Sequence, residues 1–497
     1  MVELLESSFV VPCDDTPKGR LWLSNLDQVS PHTLGGFVHF YKKTEATDFF
    51  SVEVLKAALS KTLVLFYPLA GRQVVGSNGR AELDCNAEGC LFVSAKLERS
   101  FDDINFQLWK ELEDLFIPSI EMAGSPYILL MIQITHLKCG GVVLGFAFNH
   151  VFVDGRSSVH FIRTWAGITR GDMSSVISPS FDLTQLHARS PPIANFHPEE
   201  YTCETIKPTQ AGSTTTKFRL SKEQVSYLKS RCCNGSVIRI SSFCAVVSLV
   251  WKCFCVAQGL APNSIAQIMF TVDICDRLKQ PLPKHHFSNA VVRRSVQSEV
   301  SKITSSPLHV VAEIVKAAIA SVDDEYIRSS IDYAEIMGNE VFGRKGVPAS
   351  HLRVVSISGL PIYDADFGWG VPQLVSRWQA GGNRFVYICD EPRERGGKEI
   401  FVTVDSGTMC RFEKMFYEEL NADNENNSRL LLQAIHLSDV LPLQSPLQLP
   451  IAASIRRSGT SCHILSSEAC WIPAGSATVS VPVSPQSLNV MLGDFPK

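Results

Sequence analysis

The sequence predicts a mixed α/β (α+β) protein of two domains, and three observations carry that expectation. Stretches of helical period alternate with short apolar runs of strand length. The chain has 497 residues, more than the roughly 250–300 at which a single core stops growing. A Pro/Ser/Thr-rich segment at 187–216, with Ser190-Pro191-Pro192 and Gly212-Ser-Thr-Thr-Thr216, separates two halves of ordinary globular composition.

The elements follow in order. Val54, Leu55, Ala58, Leu59, Thr62 and Leu63 recur at three- and four-residue steps, which predicts a helix. It should end near Tyr67, because Pro68 disfavours helical geometry before it and Gly71 follows. Asn78-Gly79 between Gln73–Val75 and Ala81–Leu83 predicts a hairpin. Tyr127–Leu137 and Gly141–Asn149 read as a strand pair, and Ser157–Ile168 resumes a helical period. Beyond the linker, Ser221–Arg231 and Ser241–Ala257 read as helices; Ala266–Val272, His351–Ser358, Val386–Cys389 and Lys398–Val404 read as strands. The domain plan is 1–186, a crossover at 187–216, and 217–425. Residues 426–497 stand apart. From Val440 onward the only charged residues are Arg456, Arg457, Glu468, Asp494 and Lys497, and seven prolines interrupt the stretch. A weakly ordered tail is expected there.

Composition narrows the function classes. Basic side chains number 46 against 50 acidic ones, a net charge of −4, which leaves no footprint for nucleic acid and no polybasic membrane patch. No run approaches the roughly 20 apolar residues of a membrane helix. The start, Met1-Val-Glu-Leu-Leu-Glu6, carries acids where a secretory signal carries Lys or Arg. The 15 cysteines are odd in number and fall in apolar runs, as at Cys244, Cys253 and Cys255. Their spacings at Cys85/Cys90 and Cys253/Cys255 match no zinc framework. Reduced, mostly buried thiols in a cytoplasmic protein without a metal site are expected.

Two motifs can carry chemistry. In Phe146-Ala-Phe-Asn-His150-Val-Phe-Val-Asp154-Gly155-Arg156-Ser157, an apolar strand leads into a histidine, an aspartate four residues on, and a glycine opening a helix. Imidazole titrates near neutral pH and can take a proton from a hydroxyl or amine; an aspartate beside it either fixes the ring or forms a structural ion pair. Spacing alone leaves both open, together with a plain structural histidine. Far downstream, Asp366-Phe367-Gly368-Trp369-Gly370 reads as a tight aromatic turn.

Together and in this order, the two motifs resemble H-x-x-x-D-G and D-F-G-W-G, the hallmarks of the BAHD family of plant acyl-CoA-dependent acyltransferases. Thr16-Pro-Lys-Gly19, Leu23-Ser-Asn-Leu-Asp-Gln28, Phe66-Tyr-Pro-Leu-Ala-Gly-Arg72, the segment Asp182–Pro192 and the segment Ser241–Lys252 extend the resemblance over about residues 8–420. It implies two chloramphenicol-acetyltransferase-like domains with an interdomain channel, acyl-CoA entering from one face and the acceptor from the other. By the same resemblance His150 is the general base for direct attack of the acceptor on the thioester, without a covalent acyl-enzyme. The absence of a G-x-S-x-G elbow agrees. Asp154 then points away and pairs with an arginine, and Gly155 lets the backbone turn. Asp366, Phe367, Gly368, Trp369 and Gly370 form a structural loop. Acyl-CoA is a co-substrate with no further cofactor, and the acceptor is a small alcohol, phenol or amine. The first 45 residues and Asp154–Gly171 are most similar to the hydroxycinnamoyl-transferring branch. A monomer is expected.

The chain also departs from the family pattern. Asp273-Ile-Cys275-Asp-Arg277 lacks the first arginine of D-x-R-x-R, leaving Arg277 as the candidate partner of Asp154. Ser288 stands where Y-F-G-N has glycine, Ile357 where S-W has tryptophan, and Gly359 where members with acidic acceptors carry arginine. Strand alternation puts Phe37, His39 and Tyr41 on one face; His39 is a plain strand histidine or part of the acyl pocket. With Ser356 and Asn289 it completes the candidate substrate-binding residues. Two other readings remain open, a catalytically impaired binding protein and a thioesterase-like hydrolase. The rate should rise with pH through one ionisation in the histidine range.

Overall fold

The structure, a computed structural model, describes residues 2–104, 109–125, 127–195, 212–233, 239–338, 350–378, 382–392 and 396–421, and strands at 448–458, 461–471, 477–479 and 490–492. The chain divides into two units, Met1–Leu420 and Asn421–Lys497.

The first unit is mixed α/β, built on two large sheets. One runs Val2–Val10, Cys90–Leu97, Leu130–Leu137, Val142–Asn149, Phe37–Tyr41 and Leu374–Arg377, with Leu34–Gly35 also paired to Val142–Asn149. Cys90–Leu97 and Leu130–Leu137 are parallel; the hairpin Leu130–Leu137/Val142–Asn149 is antiparallel, as its short Gly-containing turn requires. The other sheet runs Ser213–Leu220, Lys398–Asp405, Phe385–Asp390, His351–Ser356, Ile265–Asp273 and Val291–Glu299. There His351–Ser356 is parallel to both neighbours. The division is not clean. Leu374–Arg377, from the far half of the chain, crosses back and pairs with Phe37–Tyr41, setting Val375 opposite His39 and Arg377 opposite Phe37.

Alternation sorts each sheet into two faces. In the first, Phe37 and Tyr41 join Leu144, Phe146 and Phe148 in a cluster that also takes Phe287, Phe367, Phe385, Tyr387 and Phe401 from the second half. Val38, Phe40, Val143 and Ala147 point the other way, against Leu112 and Phe116. In the second sheet Val386, Ile388, Ile400 and Val402 pack instead with Trp251, Phe254, Phe412 and Phe416. The odd residues of Phe385–Asp390 therefore look across to the strand that leads into His150.

The helix Val52–Leu65 is capped by Ser51 accepting from the Val54 amide at 3.3 Å, and it ends ahead of Pro68, which sits in the 3₁₀ turn Tyr67–Ala70. Leu55, Ala58, Leu59, Thr62 and Leu63 are buried as the period predicts, but Val54 is exposed. The hairpin forms as Arg72–Val75 against Ala81–Cys85. Of the expected crossover, residues 196–211 lie outside the described residues, and Ser213–Thr216 open the strand Ser213–Leu220. Among the described residues most cysteines are buried, and all are free thiols. No helix there is long and apolar enough to cross a membrane.

In the second unit, Gln448–Ser458 pairs antiparallel with Ser461–Trp471, and Val490–Leu492 and Ala477–Val479 complete a four-stranded sheet. The rest of the expected tail lies outside the described residues.

Candidate active site

Asn149 ends its strand and shapes the turn that presents His150. Its side-chain oxygen accepts from the Val151 amide at 3.0 Å, and its carbonyl accepts from the amides of Phe152 and Val153, both at 3.3 Å. The His150 amide donates to the Thr33 carbonyl at 3.0 Å, and its carbonyl accepts from the Asn289 side chain, also at 3.0 Å. The backbone of the histidine is thus fixed on both sides. Burial pushes its imidazole pKa down to about 4, and the positive charge of Arg377 adds to the effect. A hydrogen bond to the Val153 backbone works the other way. A neutral imidazole keeps one ring nitrogen able to accept a proton.

Asp154 turns away from the ring. One carboxylate oxygen accepts from the Ser157 amide at 2.8 Å, capping the helix Gly155–Thr169, and the other accepts from the Ala290 amide at 3.1 Å. Arg277 is not its partner, which corrects the expectation from sequence. The Arg277 guanidinium donates instead to the carbonyls of Ile319 and Val322, both at 3.0 Å. The physical reason is that two amides already satisfy the buried carboxylate. Where the missing arginine would stand is the buried thiol of Cys275, and Asp273 pairs with Arg156 at 2.8 Å. Burial raises the Asp154 pKa.

Asn289 sits beside this contact. Its amide and its side-chain nitrogen both donate to Asp27, each at 2.9 Å, and the same nitrogen reaches His150. Its side-chain oxygen takes no part in these contacts. Asp27 is fully buried and also accepts from Ser24; burial pushes its pKa up to about 6. Two carboxylates from the N-terminal half therefore hold the consecutive amides of Asn289 and Ala290. Ser288 tolerates its side chain because its φ is not positive; its hydroxyl meets His286 at 2.8 Å, and its carbonyl accepts from Ser157 at 3.1 Å.

The Asp366–Gly370 loop is held by its own first residue. Asp366 accepts from the amides of Gly368 and Gly370 at 2.8 and 2.9 Å, and its carbonyl accepts from Arg170 at 2.7 Å. Both glycines need positive φ, +103° and +100°. Phe367 is buried edge-on against Trp165, and Trp369 lies against Phe50. None of these contacts involves His150.

Of the other candidates, Ser356 ends its strand and accepts from the Ser358 amide at 3.2 Å. Ile357 is 3.5 Å from where a side chain on Gly155 would begin. His39 is fully buried between Phe37, Tyr41 and Phe146, and among the described residues its Nε2 has no hydrogen-bond partner. Burial drives its pKa down to about 3.

Sequence reasoning missed two residues of this region. Asp27 carries a readable capping signal, Ser24-x-x-Asp27, but nothing local announces its reach to Asn289. Arg377 belongs to no motif; the crossing strand is what brings its charge to bear on His150. Among the described residues no group of His, Cys, Asp or Glu side chains is placed to hold a metal ion.

A family model described as the Transferase family matches residues 1–419. The chain is similar to putrescine hydroxycinnamoyltransferase 1 of Oryza sativa subsp. japonica, 39% identical over 443 residues, 84% of this chain and 99% of that protein. It is similar to shikimate O-hydroxycinnamoyltransferase of Nicotiana tabacum, 35% identical over 434 residues, with 84% and 99% covered. Among solved structures, vinorine synthase superposes with a TM-score of 0.68 at 21% identity, covering 83% of this chain and 96% of that one. TRI101 of F. sporotrichioides, complexed with coenzyme A and T-2, gives 0.64 at 16% identity, with 80% and 97% covered.

Proposed function

The chain belongs to the Transferase family, the BAHD acyl-CoA-dependent acyltransferases, and from that premise we propose that it moves a hydroxycinnamoyl group from acyl-CoA to a hydroxyl or amine acceptor, with His150 as general base. The observation that carries this reading is the fixing of His150. Its amide and its carbonyl are both engaged, and its ring is a neutral imidazole. A base whose backbone is held in one place takes a proton without first reorganising.

In this reading the free nitrogen removes the acceptor's proton as its oxygen or nitrogen attacks the thioester carbonyl. The CoA thiolate leaves with the C–S bonding pair and takes that proton back. No residue is acylated. Asp154 acts as a positioning residue through the helix cap and Ala290, and the Asp366–Gly370 loop holds the wall. His39 lines the acyl pocket, its unpartnered nitrogen open to a phenolic O–H. Ser356 and the Asn289 side-chain oxygen border the acceptor.

The names of the rice and tobacco relatives share the acyl group and differ in acceptor, putrescine in one and shikimate in the other, so the support falls on the donor. For the acceptor, Gly359 removes a guanidinium clamp at that position, which favours a neutral alcohol, phenol or amine. The two halves of the first unit form the working pair, with substrates meeting between their sheets.

The test is CoA release from p-coumaroyl-CoA across a panel of acceptors, with His150→Ala beside the wild type. Release that needs an acceptor, and that falls about 10²–10⁴-fold in the variant while acyl-CoA still binds, is expected. Release without acceptor would indicate a hydrolase. Undiminished transfer in the variant would overturn the role of His150.

A further inference from the structure

Arg377 ends the strand that crosses from the second half into the first sheet, its backbone opposite Phe37. The next residue, Trp378, anchors that end by donating to the Phe146 carbonyl at 2.8 Å. From there the guanidinium reaches the facing sheet. It lies 5.3 Å from the ring centroid of Phe385 and 5.4 Å from that of Tyr387, within cation–π range of both. Tyr387 is buried to 3% exposure, and its hydroxyl has no hydrogen-bond partner among the described residues. A buried O–H without a partner is rare unless a ligand takes it. A cation and an unpaired donor thus share the space between the sheets, and the charge of that cation is felt at His150.

Charge decides what they are for. As the acceptor attacks, its proton passes to the free nitrogen of His150 and makes an imidazolium. Its lone pair forms the bond to the carbonyl carbon, and the C=O π pair moves onto oxygen. The step creates one positive and one negative charge. A guanidinium whose charge is felt at the base opposes the first, so alone it would only slow the reaction. It helps if the new negative charge forms on its side. We propose that Arg377 and Tyr387 bind the thioester carbonyl oxygen and stabilise the oxyanion of the tetrahedral intermediate. When the intermediate collapses, the oxygen pair re-forms the carbonyl and the C–S bond breaks toward CoA.

This rests on the acyl-transfer reading, so the experiment separates the two. Wild type, His150→Ala, Arg377→Gln, Arg377→Lys and Tyr387→Phe are assayed in the full chain with p-coumaroyl-CoA and an alcohol or phenol acceptor. Arg377→Gln should lower kcat about 10²–10³-fold with KM for acyl-CoA little changed, and the acid limb of its pH profile should move up as the positive field on His150 is lost. Arg377→Lys should restore the limb but only part of kcat, because an ammonium cannot fork. Tyr387→Phe should lower kcat by about tenfold. A moved limb with plateau kcat intact would show that Arg377 only tunes the base, and a loss confined to acceptor KM would make it an acceptor residue. Either overturns the proposal. If Arg377→Gln does not fold, Tyr387→Phe decides alone, and unchanged kcat there overturns it. Should His150→Ala also transfer normally, the parent reading falls as well.

Discussion

At the scale of single residues, His150 shows how far burial moves a familiar group. The sequence suggests an ionisation in the ordinary histidine range, yet desolvation, with Arg377 adding to it, takes the ring to about 4. Only the neutral form accepts a proton, so kcat/KM with an alcohol or phenol acceptor should stay level through pH 6 and fall only toward about 4. A limb near the ordinary value of about 6.5 would mean a solvated ring in the working enzyme. An amine acceptor would add its own ionisation, so it is the wrong probe for this measurement.

Stability follows the same groups. Burial lowers His39 to about 3 and His286 to about 4, as it does His150. The unfolded chain protonates these rings near 6.5, so acid favours it and stability is lost as pH falls from there toward about 4. Asp27, raised to about 6, runs the other way: the folded state takes up its proton first, which adds stability between about 6 and 4. Asp154, also raised by burial, acts in the same direction as Asp27, and the three imidazoles outweigh the two carboxyls. The melting temperature should therefore drop between pH 7 and 4.5, and Asp27→Asn should steepen that drop.

At the scale of elements, the segment 287–290 is the joint on which the motif rests. Asp27 and Asp154 hold its consecutive amides, so the two contacts share one rigid piece of backbone. Asp27→Asn and Asp154→Asn should each lower the melting temperature and kcat, and the double variant should lose less than the sum, by about 0.5–3 kcal/mol in unfolding free energy. Strict additivity would mean that the grips are independent. Arg277→Ala, by contrast, should leave kcat near wild type.

Which elements are legible from sequence follows from the physics of each. The helix Val52–Leu65 and the hairpin at Asn78-Gly79 are read correctly because period, proline and turn residues are local signals. His150, Asp154 and the Asp366–Gly370 loop are found because their spacing is a motif. The helices Leu308–Ala320 and Asp324–Met337 and the strand Val291–Glu299 went unread. Val291–Glu299 carries Arg293, Arg294 and Glu299 among its residues, which blurs alternation. The partner of Asp154 was misread because a backbone amide has no letter in the sequence: Ala290 shows nothing of what its N–H does. Arg377 was invisible for a related reason, since strand pairing between residues more than 330 positions apart leaves no local pattern.

At the scale of the whole molecule, the first unit ends at Leu420, and the family match ends at residue 419. The relatives are covered almost completely by the portion of this chain that matches them. Truncation after about residue 430 should therefore leave the melting temperature and acyl transfer near wild type. A large drop in either would make the C-terminal residues an integral part of the enzyme.

The crossing strand Leu374–Arg377 has a consequence for how this polypeptide can be taken apart. A nick in the 187–216 segment would not release two self-sufficient pieces. The N-terminal fragment would end its sheet on Phe37–Tyr41 with a bare edge, an open template for aggregation, while the C-terminal fragment would carry the strand that belongs there. The fragments would be complementary in the way of a donated strand and its acceptor groove, each incomplete until they meet. Any shuffling of halves between relatives must respect a seam that runs through the sheet and not through the linker.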